Sequence, residues 1–161
     1  MAKVKMHFKR RREGKTDYKK RLKLLYSKKP RLVIRKSLRY ITAQIIEFEK
    51  IGDKAILSAT SKELKKLGWT YSCDSTPAAY LVGLIIGKRA VKKGIEKAVV
   101  DIGLHPSTVG SRIYAAVKGA LDAGLDIDID EKVFPREDRI KGKHINENIV
   151  KKFERVKEMI K

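Results

Sequence analysis

RLVIRKSLRYITAQIIEFEKIGDKAILSAT, residues 31 to 60, is the stretch that decides the fold class. Its first six residues, RLVIRK, follow a proline and are rich in apolar, partly β-branched side chains, so they read as a strand. From Arg39 to Phe48, Ile41, Ala43 and Ile45 alternate with Tyr40, Thr42, Gln44 and Ile46. That is the period of a strand with one buried face. Only Ser37 and Leu38 separate the two runs, which suits a hairpin. Gly52-Asp53 then turns the chain into KAILSAT (54–60), a third strand.

Downstream the period changes. A short helix is expected over residues 61–67, broken at Gly68. Ser75 or Thr76, with Pro77 at the first helical position, opens a long helix that Gly94 closes. Along it Ala79, Gly83, Gly87 and Ala90 recur every three or four residues, a shallow ridge against which a neighbouring backbone can lie. Residues 97–102 read as a buried strand, 103–109 as a loop, and 110–123 as a second helix stopped at Gly124. Residues 125–129 read as an added edge strand, 135–144 as irregular, and 146–160 as an amphipathic helix carrying Ile149, Phe153, Val156 and Ile160. The order is βββ-α-β-α. The expected fold is mixed α/β (α+β): three antiparallel strands, then α-β-α, in one mixed sheet with packed helices. Three parts follow: a basic arm with a short helix (1–29), the mixed-sheet core (30–130) and a C-terminal extension with a terminal helix (131–161).

Upstream, residues 1–15 contain too little apolar surface to fold alone and are expected to stay disordered until a partner neutralises them. Thr16 or Asp17 can cap a short helix whose apolar stripe is Tyr18, Leu22, Leu25 and Tyr26, with Lys19, Lys20, Arg21 and Lys23 on its basic face.

The charge distribution narrows the function. The chain of 161 residues carries 39 Lys and Arg against 19 Asp and Glu, a net +20. Residues 1–40 hold 17 of those cations and only two acids, Glu13 and Asp17. Three quarters of the excess therefore sits in the first quarter of the chain, a concentrated patch whose natural partner is a polyanion. Cations and aromatics are interleaved there: Phe8, Lys9, Arg10, Arg11, Arg12, Lys15, Tyr18, Arg21, Arg31, Arg35, Lys36, Arg39 and Tyr40. Arginine forks match phosphate oxygens and stack on bases, and tyrosine offers an aromatic face and a hydroxyl. A second, weaker anion site is the helix opening at PSTVGSR (106–112), where Ser107, Ser111 and Arg112 could hold a phosphate; ordinary helix capping explains the serines equally well.

Other chemistries fit less well. The element order also describes ribonuclease H-like nucleases, which leaves a magnesium-dependent ribonuclease as the alternative. Two-metal cleavage needs clustered carboxylates, one of them usually in the first strand, and RLVIRK has none; Asp101 stands without that partner. Asp101, His105 and Ser111 lie along one loop with no nucleophile elbow, so no hydrolase triad is expected. GLIIGKR (83–89) falls inside a helix and lacks the Ser or Thr of a phosphate loop. Three scattered histidines and a lone Cys73 make no zinc site, so neither metal nor cofactor is expected. One cysteine suits a reducing compartment, with cytosol as the default. The longest apolar run, residues 78–87, is too short to span a bilayer, and no membrane partner is expected.

Several segments, in order, carry a resemblance: KRRREGKTDYKKRLKLL (9–25), KPRLVIRKS (29–37), Ala43-Gln44, AYLVGLIIGKRA (79–90) and VVDIGLHPSTVGSRIYAAVKGALDAGLDI (99–127). Together they resemble the family of large-subunit ribosomal proteins that carries 5S ribosomal RNA, and within it the archaeal form, over roughly residues 5–145. The resemblance implies a structural, non-enzymatic protein docked in the central protuberance of the large ribosomal subunit, in the cytoplasm. Its partners would be 5S rRNA, large-subunit rRNA and neighbouring ribosomal proteins, including a second 5S-binding protein. By motif, Arg10 to Arg12, Lys15, Tyr18 and Arg21 fall in the family's RNA-binding arm and Arg31, Arg35, Lys36 and Arg39 in its hairpin. Gly110, Ser111 and Arg112 match the loop before the last core helix. The helix after His144 matches least, and either packs on the core or meets a neighbour.

Overall fold

The strand pattern in residues 31–60 is realised in a computed structural model that describes residues 6–160. β1 (Arg31–Lys36), β2 (Ile41–Glu47) and β3 (Lys54–Thr60) form an antiparallel meander. β4 (Val99–Asp101) joins parallel to β1, giving the order β3-β2-β1-β4. On one sheet face Leu32, Ile34, Ile41, Ala43 and Ile45 are fully buried beneath two helices, α3 (Thr76–Lys92) and α4 (Arg112–Asp122). The α3 crossover carries the chain past β2 and β1 and returns it as β4, which is why the fourth strand is the parallel one.

α3 is capped by Ser75, whose Oγ accepts from the Ala78 N–H, with Pro77 in the first turn. It is apolar on nearly every side because it is covered by the sheet, by α4 and by the C-terminal helix. The small-residue ridge on α3 serves the α4 contact. A methyl group on Gly83 would overlap the Ala116 backbone, and one on Gly119 of α4 would overlap the Tyr80 carbonyl.

Edge strand β3 does not offer its outward polar groups to a stranger. The Ser58 carbonyl accepts from Arg89, the Ile56 carbonyl from Lys93 Nζ at 3.5 Å, and Glu63 Oε1 accepts from the Thr60 N–H at 2.8 Å. Arg89 and Glu63 also pair with each other at 2.5 Å. Side chains from α3, from Lys93 just after it and from the 3-10 turn that follows β3 (Glu63–Leu67) therefore cover the edge.

Several expectations need correction. Residues 125–129 add no strand: Leu125 and Ile127 are buried in alternation, but pairing is limited to one bridge, Lys97 with Asp126. Alternating burial without a neighbouring ladder is enough to mimic a strand. The supposedly irregular 135–144 contains α5 (Glu137–Lys141), acidic in its first turn, basic in its last and ended by Gly142 at φ +81. In residues 1–15, Lys9–Arg12 forms one helical turn, α1, where disorder was expected; residues 1–5 lie outside the described ones. α2 (Tyr18–Leu25) starts at the Asp17 cap, but its expected stripe is only partly covered: Leu22 and Tyr26 are exposed, while Tyr18 and Leu25 are half-buried, as are Arg21 and Leu24 off the stripe. α6 (Glu147–Ile160) settles the open alternative for the terminal helix. Its Ile149, Phe153 and Val156 are buried, and Phe153 meets the Tyr80 ring of α3 at 5.5 Å.

Candidate nucleic-acid interface

The other sheet face carries the charge. Pleating sends Arg31, Val33 and Arg35 of β1 away from α3, toward the arm. There two carboxylates thread three guanidinium groups. Arg31 donates to Asp101 Oδ2 at 2.9 Å and to Asp53 Oδ2 at 2.5 Å. Arg21 of α2 reaches Asp53 Oδ1 at 2.9 Å, which ties the arm to the β2–β3 turn. Arg35 donates through one nitrogen to the Ile34 and Asp101 carbonyls, and its other nitrogen lies 3.3 Å from Asp101 Oδ1. Asp101 Oδ1 also accepts from the Gly103 N–H at 2.8 Å, holding the loop after β4.

Arg31, expected on the RNA surface, is only 4% exposed and spends its charge inside the protein. Its desolvation is tolerable because both carboxylates are within hydrogen-bond reach. Arg35 differs: the same carboxylate fixes it, yet 45% of its side chain remains exposed. The cluster consumes acids that would otherwise repel phosphate, and its three cations against two anions leave it positive.

Around this cluster the arm's cations point outward. Lys9, Arg10, Arg11, Arg12 and Lys15 are exposed, as are Lys36 and Arg39 at the hairpin end, while Tyr18 and Tyr40 are half-buried. The Phe8 and Tyr18 rings meet at 5.2 Å, tilted by 46°, and Arg10 Nε donates to Thr16 Oγ1 at 2.9 Å, so α1 folds back over the start of α2. The Asp17 carboxylate accepts from the Lys20 and Lys19 N–H groups, and these bonds hold its pKa below the usual range. His105 reports the local field: burial lowers its pKa, and Lys36 and Arg35 lower it further.

The opening of α4 is assembled differently from the sequence expectation. Ser107 Oγ lies 2.5 Å from the Tyr114 hydroxyl, and Arg112 is held by the Asp74 carboxylate and carbonyl. Ser111 sits at the N-cap without capping, and its Oγ is buried without a hydrogen-bond partner. Lys36, His105, Arg112 and Arg139 surround it in a pocket of about 310 Å³. Of the three expected ligands only Ser111 is uncommitted. Arg139 joins through α5, and no spacing rule links positions 111 and 139. Asp53 and Asp101, which position the arginines, were equally invisible as a pair.

Both carboxylates at this end of the sheet are bonded to arginine. Among the described residues no group of three or more His, Cys, Asp or Glu could hold a metal ion, and no helix is long and apolar enough to cross a membrane.

Comparison with known proteins shows a family. The family model described as "Ribosomal large subunit proteins 60S L5, and 50S L18" matches residues 2–97 and 90–130. The chain is 54% identical over 144 residues to the large ribosomal subunit protein uL18 of Korarchaeum cryptofilum, covering 89% of this chain and 74% of that protein. It is 56% identical over 145 residues to the protein of the same name from Caldivirga maquilingensis, covering 89% and 70%. These are structural, non-enzymatic proteins, and the chain with the basic arm and arginine-laced sheet belongs to their family of large-subunit ribosomal proteins.

Proposed function

We propose that this protein binds 5S rRNA and helps anchor it in the central protuberance of the large ribosomal subunit, with large-subunit rRNA and neighbouring ribosomal proteins, a second 5S-binding protein among them, as its other partners in the cytoplasm. One observation carries the reading: most of the excess charge lies in residues 1–40, and Lys9 to Arg12 and Lys15 of the arm face solvent around a cluster that has already absorbed Asp53 and Asp101. Lys9 to Arg12, Lys15 and Arg21 contact phosphate and ribose from the arm. Arg35, Lys36, Arg39 and Tyr40 extend the track along the hairpin, and Tyr18 supplies an aromatic face. Arg31 acts from inside, by fixing Asp53 and Asp101. The pocket at Ser111, with Lys36 and Arg139, takes one further phosphate. Recognition is mainly of shape, because the A-form major groove is too narrow for side chains to read.

Filter binding of 5S rRNA across a salt series tests this. About 8 phosphate contacts give a log–log slope of roughly −6 to −7. Deleting residues 1–23 should flatten that slope and weaken binding; an unchanged slope and affinity would refute the arm's role.

A further inference from the structure

The helical side of the molecule, across the sheet from the arm, carries a second cationic feature. A groove of about 340 Å³ runs between the 3-10 turn Glu63–Leu67, α3 and the end of α6. Leu67 and Ile160 are half-buried along it, Ile85 of α3 is 8% exposed at its base, and Met159 is 53% exposed at its side. Lys66 rises from the turn and Lys92 from α3, both exposed. Among the described residues the lining holds Lys66, Lys88, Arg89 and Lys92 against one acid, Glu63.

The chemistry of the lining selects the occupant. A net positive rim calls for an acidic partner. The apolar side chains are aliphatic: no aromatic ring lines the groove for a nucleobase to stack on, and Arg89 is engaged by Glu63 at 2.5 Å and by the Ser58 carbonyl. A phosphate backbone gains nothing from Met159 or Ile160, so RNA would leave the most accessible apolar part of the groove unused. A protein segment with one apolar and one acidic face uses both. Met159 suits such a contact, because an unbranched thioether side chain adapts its shape to what it meets. The α3 wall from Ile85 to Lys92 runs about 10 Å at the helical rise per residue, which matches two turns of a helix laid beside it.

We propose that this groove docks an acidic amphipathic helix of a protein partner. Its apolar residues, spaced i, i+3 or i+4 and i+7, would lie on Leu67, Ile85, Met159 and Ile160, and its carboxylates would meet Lys66 and Lys92. The arm lies on the other face of the sheet, so RNA and this helix can occupy one molecule together.

The full chain, with carbon-13 in its methionine methyls, is titrated with a synthetic peptide of about four helical turns, leucines on one face and glutamates on the other. A scrambled peptide of the same composition keeps the charge and loses the apolar face. The amphipathic peptide should bind about tenfold more tightly than the scrambled one, the ratio expected when roughly one leucine is buried. It should shift the Met159 methyl signal, identified by its loss in Met159→Leu, and leave the Met6 signal in place. Adding 5S rRNA should do the reverse, moving Met6 at the arm and sparing Met159. Met159→Asp, at an exposed position, should remove the preference between peptides and leave the affinity for 5S rRNA unchanged. Equal affinity for the two peptides, or a Met159 signal that stays put, overturns the docking site. A Met159 signal that moves with 5S rRNA, or with phosphatidylglycerol vesicles, overturns it too and assigns the groove to RNA or to lipid.

Discussion

Asp101 is the residue on which the charged face turns. It is buried and bonded to Arg31, Arg35 and the Gly103 N–H. Asp101→Ala should lower unfolding free energy by about 3–5 kcal/mol in urea titrations, because Arg31 keeps its desolvation penalty and loses one of its two counterions. Arg31→Met in the same chain should recover part of that loss, since no buried charge is then left short of a partner; a double variant as unstable as the single would contradict this account. His105 gives a second residue-scale prediction. Its imidazole is held below the usual histidine pKa by burial and then by Lys36 and Arg35. Bound phosphate brings negative charge near it, so its pKa should rise when RNA is added, visible as an NMR titration shifted toward higher pH. The sequence showed Arg31, Arg35 and Lys36 as cations along one strand. It could not show that a carboxylate 70 positions away in the chain would take Arg31 out of solvent.

At the scale of elements, the α3–α4 contact is the tightest junction in the molecule. Two glycines, Gly83 and Gly119, let each helix rest on the other's backbone. Gly119→Val should push the helices apart and cost about 3 kcal/mol or more, lowering Tm by roughly 6–12 °C in a chain of this size. Scanning calorimetry decides it, and a Tm within a degree of wild type would show that the junction can relax. This element-level feature was legible in advance, because small residues every three or four positions in a helix announce close approach whatever the partner. The apolar stripe expected on α2 was misleading for the opposite reason. A helix tied to the β2–β3 turn through the Arg21–Asp53 ion pair needs no continuous buried stripe, and Leu22 and Tyr26 stay exposed. α5 escaped notice because five residues show too little periodicity to read, although its acidic start and Gly142 stop are ordinary helix signals.

For the whole molecule, folding and RNA binding should respond to salt in opposite directions. A net charge of +20 repels itself in the compact state, so screening should raise Tm as KCl increases from 0.05 to 0.2 M. Over the same range RNA affinity should fall by a factor of about 10³ or more, as expected for a protein that releases counterions from several phosphates. Parallel thermal melts and binding isotherms measure both; a Tm that falls with salt would mean that the internal ion pairs outweigh the self-repulsion.

Local pattern alone established the strand meander, the long capped helix, the amphipathic terminal helix and the crowding of cations at the amino end. Each rests on neighbours a few residues apart, where turn chemistry and hydrophobic period act directly. Only the tertiary structure decided which cations face solvent, which are neutralised inside, and that Arg139 joins Ser111. Those outcomes depend on pairs such as Arg31 with Asp53 and Asp101, brought together by the β2–β3 turn and the α3 crossover. Distance in space, which sets Coulomb energy and desolvation, is not a function of distance along the chain.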